Sequence, residues 1–280
     1  MTIYKRSGDT FTKLTNPAVL PTGIGHNVSF SPDGIYLAVS TATTPVVIYK
    51  RRGDTFTKLS APDVLPTGGG AGLSFSADGT YLAVGSGNSP YLTMYKRDGN
   101  TFTKLVSPNG PDVFPGGCVY GVSFSADGVY LAVAHVGSPC VTIYKRSGDT
   151  FTKLTNPAVL PTGNGFGASF SPDGAYLVIG HYVTPYVTIY YRSGDTFTKL
   201  TNPDVLPAAC GCGPSFTADG IYLAVAHDVY PFLAIYKMNP IHLQRLTVPQ
   251  GDPSLAQQDQ GADNSLEQAP AQAGNLLQKT

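Results

Sequence analysis

The stretch that decides the fold reads Val28-Ser29-Phe30-Ser31-Pro32-Asp33-Gly34, and Tyr36-Leu37-Ala38-Val39 follows it one residue later. Pro is preset for the second position of a type I β-turn and Gly suits the fourth, so Ser31 to Gly34 is predicted to join two strands in a hairpin. The same phrase returns along the chain with small changes. Its turns begin at Ser31, Ser76, Ser125, Ser171 and Thr217.

A second hairpin follows in each copy. Val46 to Arg51 and Thr55 to Leu59 are short runs rich in β-branched and aromatic residues, and Gly53 between them suits a turn with positive φ. The Gly of this turn returns every 45 to 49 residues, at Gly8, Gly53, Gly99, Gly148 and Gly194. Repeats of this length with four short strands each predict the blades of a β-propeller.

The number of copies predicts an all-β fold, a five-bladed β-propeller of four-stranded antiparallel blades over residues 1–237. The third-strand phrase occurs six times and the other strands five times. We expect Thr10 to Leu14 to pair with the blade formed by residues 214–237 and so to close the ring. Either Thr2 to Arg6 or Phe232 to Lys237 is then displaced from that blade, or the arc stays open and is completed by another subunit.

These phrases resemble a known family. Val28 to Gly34 and the strand after it look like the inner hairpin of WD40-like repeats. The fuller phrase through Ile48-Tyr49-Lys50-Arg51 is similar to propeller repeats of phage virion and bacterial surface proteins. The resemblance covers Thr2 to Lys237, although the chain has no Trp and therefore lacks the Trp-Asp dipeptide. It implies a propeller fold and a place on a virion assembled in the host cytoplasm, with an ordinary cytoplasmic protein as the alternative.

The composition narrows the function classes. The chain carries 18 basic and 18 acidic residues and has a formal net charge of zero, so it lacks the basic surface that nucleic-acid binding requires. No continuous apolar stretch is long enough to span a membrane, and the N-terminus begins directly in strand sequence, so neither a membrane span nor a secretory signal is expected.

The copies differ mainly in two connections, which emerge on one rim of a four-stranded blade. One joins the second and third strands, and the other leads from the fourth strand to the next inner strand. Loops on a rigid scaffold often carry recognition, so we expect partner binding on this variable rim. Drift of unconstrained loops is the alternative interpretation. The predicted binding residues are His26, Tyr91, Tyr120, His135, Phe166, His181, Tyr182, Tyr186, His227, Asp228 and Tyr230.

The chemistry of the variable rim favours binding over catalysis. Its loops hold aromatic and small polar residues but no Lys or Arg, and Asp228 is the only acid between second and third strands. Paired carboxylates are missing because the Asp33-type residues are turn residues, so no enzyme activity is expected. His135, His181 and His227 share one repeat position and could in principle share a metal. The ordinary interpretation is a loop-closing hydrogen bond, and no metal or cofactor is predicted.

The four cysteines also fall on the variable rim. They are expected to be free thiols, with a Cys118 to Cys140 bridge as the alternative if the loops of that blade touch.

The composition changes after Lys237. Residues 238–280 contain many Gln and Pro and no aromatic residue, so they are predicted to be a docking or assembly tail that cannot form a core. Together these features predict a non-enzymatic, virion-associated propeller in a phage tail, fibre or capsid decoration. Its expected partners are other virion proteins through the tail and a host-surface glycan or protein through the variable rim. The alternatives are a cytosolic interaction scaffold, a lactonase-like propeller and a lectin-like propeller.

Overall fold

The computed structural model describes residues 1–106, 110–238 and 243–246, and these form a five-bladed β-propeller of four-stranded antiparallel blades. A separate hairpin precedes the blades and consists of β1 (Tyr4–Ser7) and β2 (Thr10–Lys13). Among the described residues no helix is long and apolar enough to cross a membrane.

The first two blades follow the repeat of the sequence. Blade 1 consists of β3 (Gly25–Phe30), β4 (Tyr36–Thr41), β5 (Val47–Arg52) and β6 (Thr55–Lys58). Blade 2 consists of β7 (Gly70–Phe75), β8 (Tyr81–Ser86), β9 (Leu92–Asp98) and β10 (Thr101–Lys104).

The remaining blades repeat this order. In blade 3, the two-residue β11 (Gly110–Pro111) adds to the outer edge of β12 (Val119–Phe124), β13 (Tyr130–His135), β14 (Val141–Ser147) and β15 (Thr150–Lys153). Blade 4 consists of β16 (Gly165–Phe170), β17 (Tyr176–His181), β18 (Val187–Ser193) and β19 (Thr196–Lys199). Blade 5 consists of β20 (Gly211–Phe216), β21 (Tyr222–His227), β22 (Leu233–Met238) and β23 (Leu243–Leu246).

The inner hairpin turn forms as its residues predict. The Tyr36 backbone N–H donates to Ser31 Oγ and the Ile35 N–H donates to the Asp33 carboxylate, both at 2.9 Å. Gly34 takes φ of +64°, a conformation that Gly adopts without steric cost. Asp33 is therefore a turn residue, in agreement with the sequence, and the same contacts recur at the turns of the later blades.

The core lies between blades. Between blades 1 and 2, Ala38 and Ile48 pack against Leu82, Val84 and Phe102. Burial of such side chains contributes about 25 cal/mol per Å² of apolar surface, which makes the blade junctions the main source of stability.

A polar linkage recurs at the outer side of the blade junctions, and we call it the interblade staple. Between blades 3 and 4, Tyr130 and Lys145 both donate to Asp195, at 2.6 and 2.8 Å. Arg192 of blade 4 reaches back to Asp127 of blade 3 at 3.1 Å. Equivalent staples join blade 1 to blade 2, where Asn100 replaces the acceptor Asp, and blade 2 to blade 3.

Among the residues that the structure describes, no such staple joins blades 4 and 5. Tyr191 stands where the preceding blades have Lys, and Met238 stands where they have the returning Arg. Tyr176, the equivalent of Tyr130, packs against Tyr191 instead, with ring centroids 5.8 Å apart.

The predicted closure of the ring is wrong. Thr10–Lys13 pairs with Tyr4–Ser7, and the fourth strand of blade 5 is Leu243–Leu246, which pairs with Leu233–Met238. The propeller unit accordingly extends to Leu246, past the predicted boundary at residue 237. Met1, Ile3 and Leu14 pack on blade 1, so the N-terminal hairpin belongs to the first blade and not to the last. The predicted tail segment 247–280 lies outside the described residues.

Candidate functional site

A central funnel lies where the five inner strands approach one another on the variable rim. Its cavity has a volume of about 340 Å³. One repeat position on each inner strand lines it, occupied by His26, Ala71, Tyr120, Phe166 and Cys212.

The register of each blade shifts at this position, so the residue sits in a β-bulge. Bulges often re-aim a side chain beside a functional site. Here the bulges place a repeat position that differs in every blade on the wall of the funnel.

His26 is held in one tautomer. Its Nδ1 lies 2.7 Å from the carbonyl oxygen of Gly70, and a carbonyl can only accept a hydrogen bond. Nδ1 therefore carries the proton in the neutral ring, and Nε2 carries the lone pair. An imidazole fixed in this way has the properties of a general base.

An aromatic wall lines one side of the funnel. The rings of Tyr120 and Phe166 have centroids 5.0 Å apart, and Phe166 also lies 6.2 Å from the ring of Tyr182. Tyr182 is exposed, whereas Tyr120 and Phe166 both line the cavity. Such a wall offers a flat apolar face together with the Tyr120 hydroxyl as a hydrogen-bonding group.

Two cysteines lie at the start of the inner strand of blade 5, next to blade 4. The Cys210 and Cys212 sulfurs are 3.2 Å apart, and Cys212 lines the funnel. Burial, together with the hydrogen bond between Cys210 and Cys212, raises the pKa of Cys210 to about 12, so this thiol stays protonated at neutral pH. All four cysteines are free, in agreement with the sequence, and the alternative Cys118 to Cys140 bridge is absent.

Three predicted site histidines lie inside their blades and do not line the funnel. His135 and His181 are fully buried, and each Nε2 lies 3.0 Å from a Thr hydroxyl of the next strand, Thr142 or Thr188. His227 is 5% exposed. Burial lowers the pKa of His181 to about 4 and lowers the pKa of His135 as well, so both rings are neutral at physiological pH. His135 and His181 thus form a hydrogen bond across the base of the loop that follows the second strand, whereas neither ring nitrogen of His227 has a hydrogen-bond partner among the described residues.

The other predicted site residues lie on the loops outside the funnel. Tyr91 and Tyr186 have positive φ, and their carbonyls accept from the backbone N–H of Ser86 and His181. Asp228 and Tyr230 are exposed on blade 5. The structure thus brings His26, Tyr120 and Phe166 together at the funnel, with Tyr182 against Phe166, and places the other predicted residues outside the funnel lining.

Asn27 is a polar lining residue that the sequence analysis missed. It lies beside His26 in the funnel, at a position where the other four blades have Gly72, Gly121, Gly167 and Gly213. This single exception to a repeated Gly was a signal in the sequence. Its amide can donate a hydrogen bond into the cavity.

The lining of the funnel includes no Lys, Arg, Asp or Glu. Within the described ranges, no three His, Cys, Asp or Glu side chains are grouped so that they could hold a metal ion.

Comparisons with known proteins establish the fold. No protein-family model and no curated protein match the sequence. The structure is similar to the periplasmic gluconolactonase of Pseudomonas aeruginosa, with a TM-score of 0.68 and 20% identity over 88% of this chain and 77% of that one. A "putative 6-phosphogluconolactonase" of Bacteroides fragilis gives a TM-score of 0.68 and 16% identity over 88% and 75% of the two chains. A Lactobacillus plantarum protein gives 0.63 and 20% over 85% and 74%.

These similarities correct the functional expectation. The sequence predicted a non-enzymatic propeller on a virion, whereas the solved structures at the head of the comparison carry lactonase names. The predictions of a virion role and of no enzyme activity are therefore wrong, and the lactonase-like alternative agrees better with the comparison. The five-bladed propeller is confirmed. The finer resemblance to WD40-like repeats stays a prediction, as no family model matches.

Proposed function

We propose that this protein is a lactone hydrolase whose active site is the central funnel. The observation that carries the proposal is His26, whose Nδ1 proton is held by the Gly70 carbonyl at 2.7 Å while its ring lines the cavity. The names of the similar structures support the same reaction class.

The reaction that this geometry supports is attack of water on the lactone carbonyl. His26 Nε2 accepts a proton from the water as its oxygen bonds to the carbonyl carbon. The Asn27 amide and the Tyr120 hydroxyl are the donors placed to stabilise the negative oxygen that develops there. Collapse of the intermediate breaks the ring C–O bond, and the imidazolium returns its proton to the leaving oxygen, which gives the open hydroxy acid.

The lining also indicates the substrate class. The Tyr120 and Phe166 rings provide an apolar face against which the carbon skeleton of a sugar lactone can stack. The funnel has no Lys or Arg to pair with a phosphate group. We therefore expect an uncharged polyhydroxylated lactone to be a better substrate than its phosphorylated counterpart.

The test is hydrolysis of glucono-1,5-lactone, followed by acid release in weak buffer with the spontaneous rate subtracted. The wild-type protein should accelerate the reaction, and His26→Gln should lower kcat/KM by about 100-fold, the typical contribution of a general base. Cys118→Ser is the matched control, because Cys118 lies on the same rim but outside the funnel lining. A wild-type rate equal to the spontaneous rate with a panel of sugar lactones would overturn the proposal.

A further inference from the structure

Two surfaces of the molecule carry the separate halves of an interblade staple. Blade 5 presents Asp219, Tyr222 and Lys237, which are the equivalents of Asp127, Tyr130 and Lys145 in blade 3. Within the described part of the chain, no ion pair reaches Asp219 or Lys237 and no hydrogen bond reaches the Tyr222 hydroxyl.

The N-terminal hairpin carries the complementary half. Arg6 and Asp9 occupy the repeat positions of Arg192 and Asp195, the residues with which blade 4 completes its staple to blade 3. Both are exposed, and neither has an ion pair within the described ranges. The charges match pairwise, since Arg6 would meet Asp219, and Asp9 would meet Lys237.

The apolar residues on the hairpin match in the same way. Tyr4 is 57% exposed, although its equivalents Tyr49, Tyr95, Tyr144, Tyr190 and Tyr236 are 0% exposed. Phe11 is 65% exposed, although its equivalents in blades 1 to 4 are at most 5% exposed. At three junctions, a Tyr of one blade meets the equivalent Phe of the next edge to face, at 5.5 to 5.9 Å. Tyr222 of blade 5 and Phe11 of the hairpin hold the equivalent positions, and neither has such an aromatic partner among the described residues.

Blade 5 also leaves the opposing apolar surface uncovered. Leu233 is 46% exposed, whereas its equivalents Leu92 and Val141 are 0% exposed. Large apolar side chains that are buried at every other blade and exposed at the last one indicate a surface that takes a partner.

The N-terminal hairpin is bound to blade 1. Lys5 forms an ion pair with Asp54 at 2.9 Å, and Ile3 and Leu14 pack on the core of blade 1. No hydrogen bond or ion pair joins the hairpin to blade 5 among the described residues. The complementary surfaces therefore remain open at the two ends of one blade array.

We propose that the hairpin of one copy docks on blade 5 of a second copy and completes there the staple that joins blades within the chain. Arg6 pairs with Asp219, Asp9 accepts from Tyr222 and Lys237, and Tyr4 and Phe11 cover the apolar surface around Leu233. This contact is head to tail, so it leaves a free hairpin at one end and a free blade 5 at the other.

The experiment measures molar mass by light scattering with two charge-reversed variants, Arg6→Asp and Asp219→Arg. Wild-type mass should rise with concentration above the 29.4 kDa of one chain. Each variant alone should stay monomeric, because like charges then face each other. An equimolar mixture should associate, since the Asp219→Arg copy keeps its hairpin, the Arg6→Asp copy keeps its blade 5, and the two changed surfaces carry opposite charges. Circular dichroism of each variant verifies folding.

The outcomes distinguish docking of the hairpin on a second copy from docking on blade 5 of the same chain. Wild-type protein that stays monomeric at all concentrations overturns the proposal. A mixture of the two variants that shows no association overturns it as well, because intramolecular pairing cannot be restored by mixing. Restoration of assembly in the double variant Arg6→Asp and Asp219→Arg, in which the charges are exchanged, would support direct pairing of the two residues.

Discussion

The Nζ atom of Lys145 in blade 3 lies 2.8 Å from the carboxylate of Asp195 in blade 4. The contact joins two blades that the backbone connects only by a loop, and equivalent Lys–Asp pairs join the N-terminal hairpin to blade 1 and blade 2 to blade 3. Both side chains are about half exposed, so the ion pair alone is worth little. Its energetic importance comes from Tyr130, whose hydroxyl donates to the same carboxylate.

Removal of this shared acceptor should weaken one junction measurably. Asp195→Ala should lower the free energy of unfolding by about 1 kcal/mol, because Tyr130 and Lys145 both lose their partner. Asp195→Asn should cost less, since Asn100 performs this role between blades 1 and 2. Urea denaturation measures both changes. Asp9→Ala is the control, and a loss at Asp9 in dilute protein equal to that at Asp195 would contradict the argument.

The buried histidines should make stability fall in mild acid. Burial lowers the pKa of His181 in the folded protein from 6.5 to about 4, so the unfolded chain binds the proton first as the pH falls. Stability is therefore complete above pH 6.5 and declines between pH 6.5 and 4, by on the order of 3 kcal/mol for this group.

The variant His181→Thr isolates this effect, because Thr41 holds the same position in blade 1. Its denaturation midpoint should vary less with pH than that of the wild type, while His135 preserves part of the dependence. An unchanged slope between pH 6.5 and 4 would exclude His181 as its source.

The Gly at one inner-strand position lies tightly against the next blade in blades 2 to 4 but not in blade 5. A Cβ at Gly121 would lie 2.6 Å from the backbone nitrogen of Ala168, so Gly121→Ala forces two inner strands apart. We expect a loss of about 2 kcal/mol or more, as for other overpacked cores. Gly213→Ala is the matched control, since the nearest atom there is 3.9 Å away. Thermal melting of both variants checks the contrast, which equal melting temperatures would refute.

The aromatic wall should contribute to substrate binding and not to the chemical step. Phe166→Ala removes the ring that packs on Tyr120 at 5.0 Å, so KM for glucono-1,5-lactone should rise about tenfold while kcat changes little. Ile24→Ala is the control, because Ile24 is 74% exposed on the same rim and does not line the funnel. A fall in kcat with unchanged KM would assign Phe166 a different role.

The fold could be predicted because the same strand and turn pattern occurs five times in the sequence. Turn chemistry at Ser31 to Gly34 and strand alternation point to the same hairpin in each copy, and the structure contains it. The last strand could not be found in this way, since Leu243–Leu246 lacks the Thr-Phe-Thr-Lys phrase of the other fourth strands. With that strand unrecognised, counting strands left blade 5 without a fourth strand, and Thr10–Lys13 was assigned to it. The count alone could not show that Thr10–Lys13 pairs with Tyr4–Ser7 instead.

The site could be predicted only in part. Variation at His26, Tyr120 and Phe166 marked one repeat position, but the bulges that direct these residues into the funnel have no signature in the sequence. His135 and His181 end the second strand of their blades, next to a variable loop that the sequence predicts to be exposed. Both are buried by packing between strands, and this burial cannot be predicted from the residues beside them in the sequence.

The missing staple between blades 4 and 5 gives the array a preferred place to open. Tyr191 and Met238 stand in place of two charged members of the staple, and apolar side chains pack across that junction, so its opening should require less free energy than that of the stapled ones. Amide hydrogens of Tyr222–His227 should therefore exchange with solvent sooner than those of Tyr130–His135. Force applied along the chain would detach the carboxyl-terminal blade first, and the stapled blades would separate only after it.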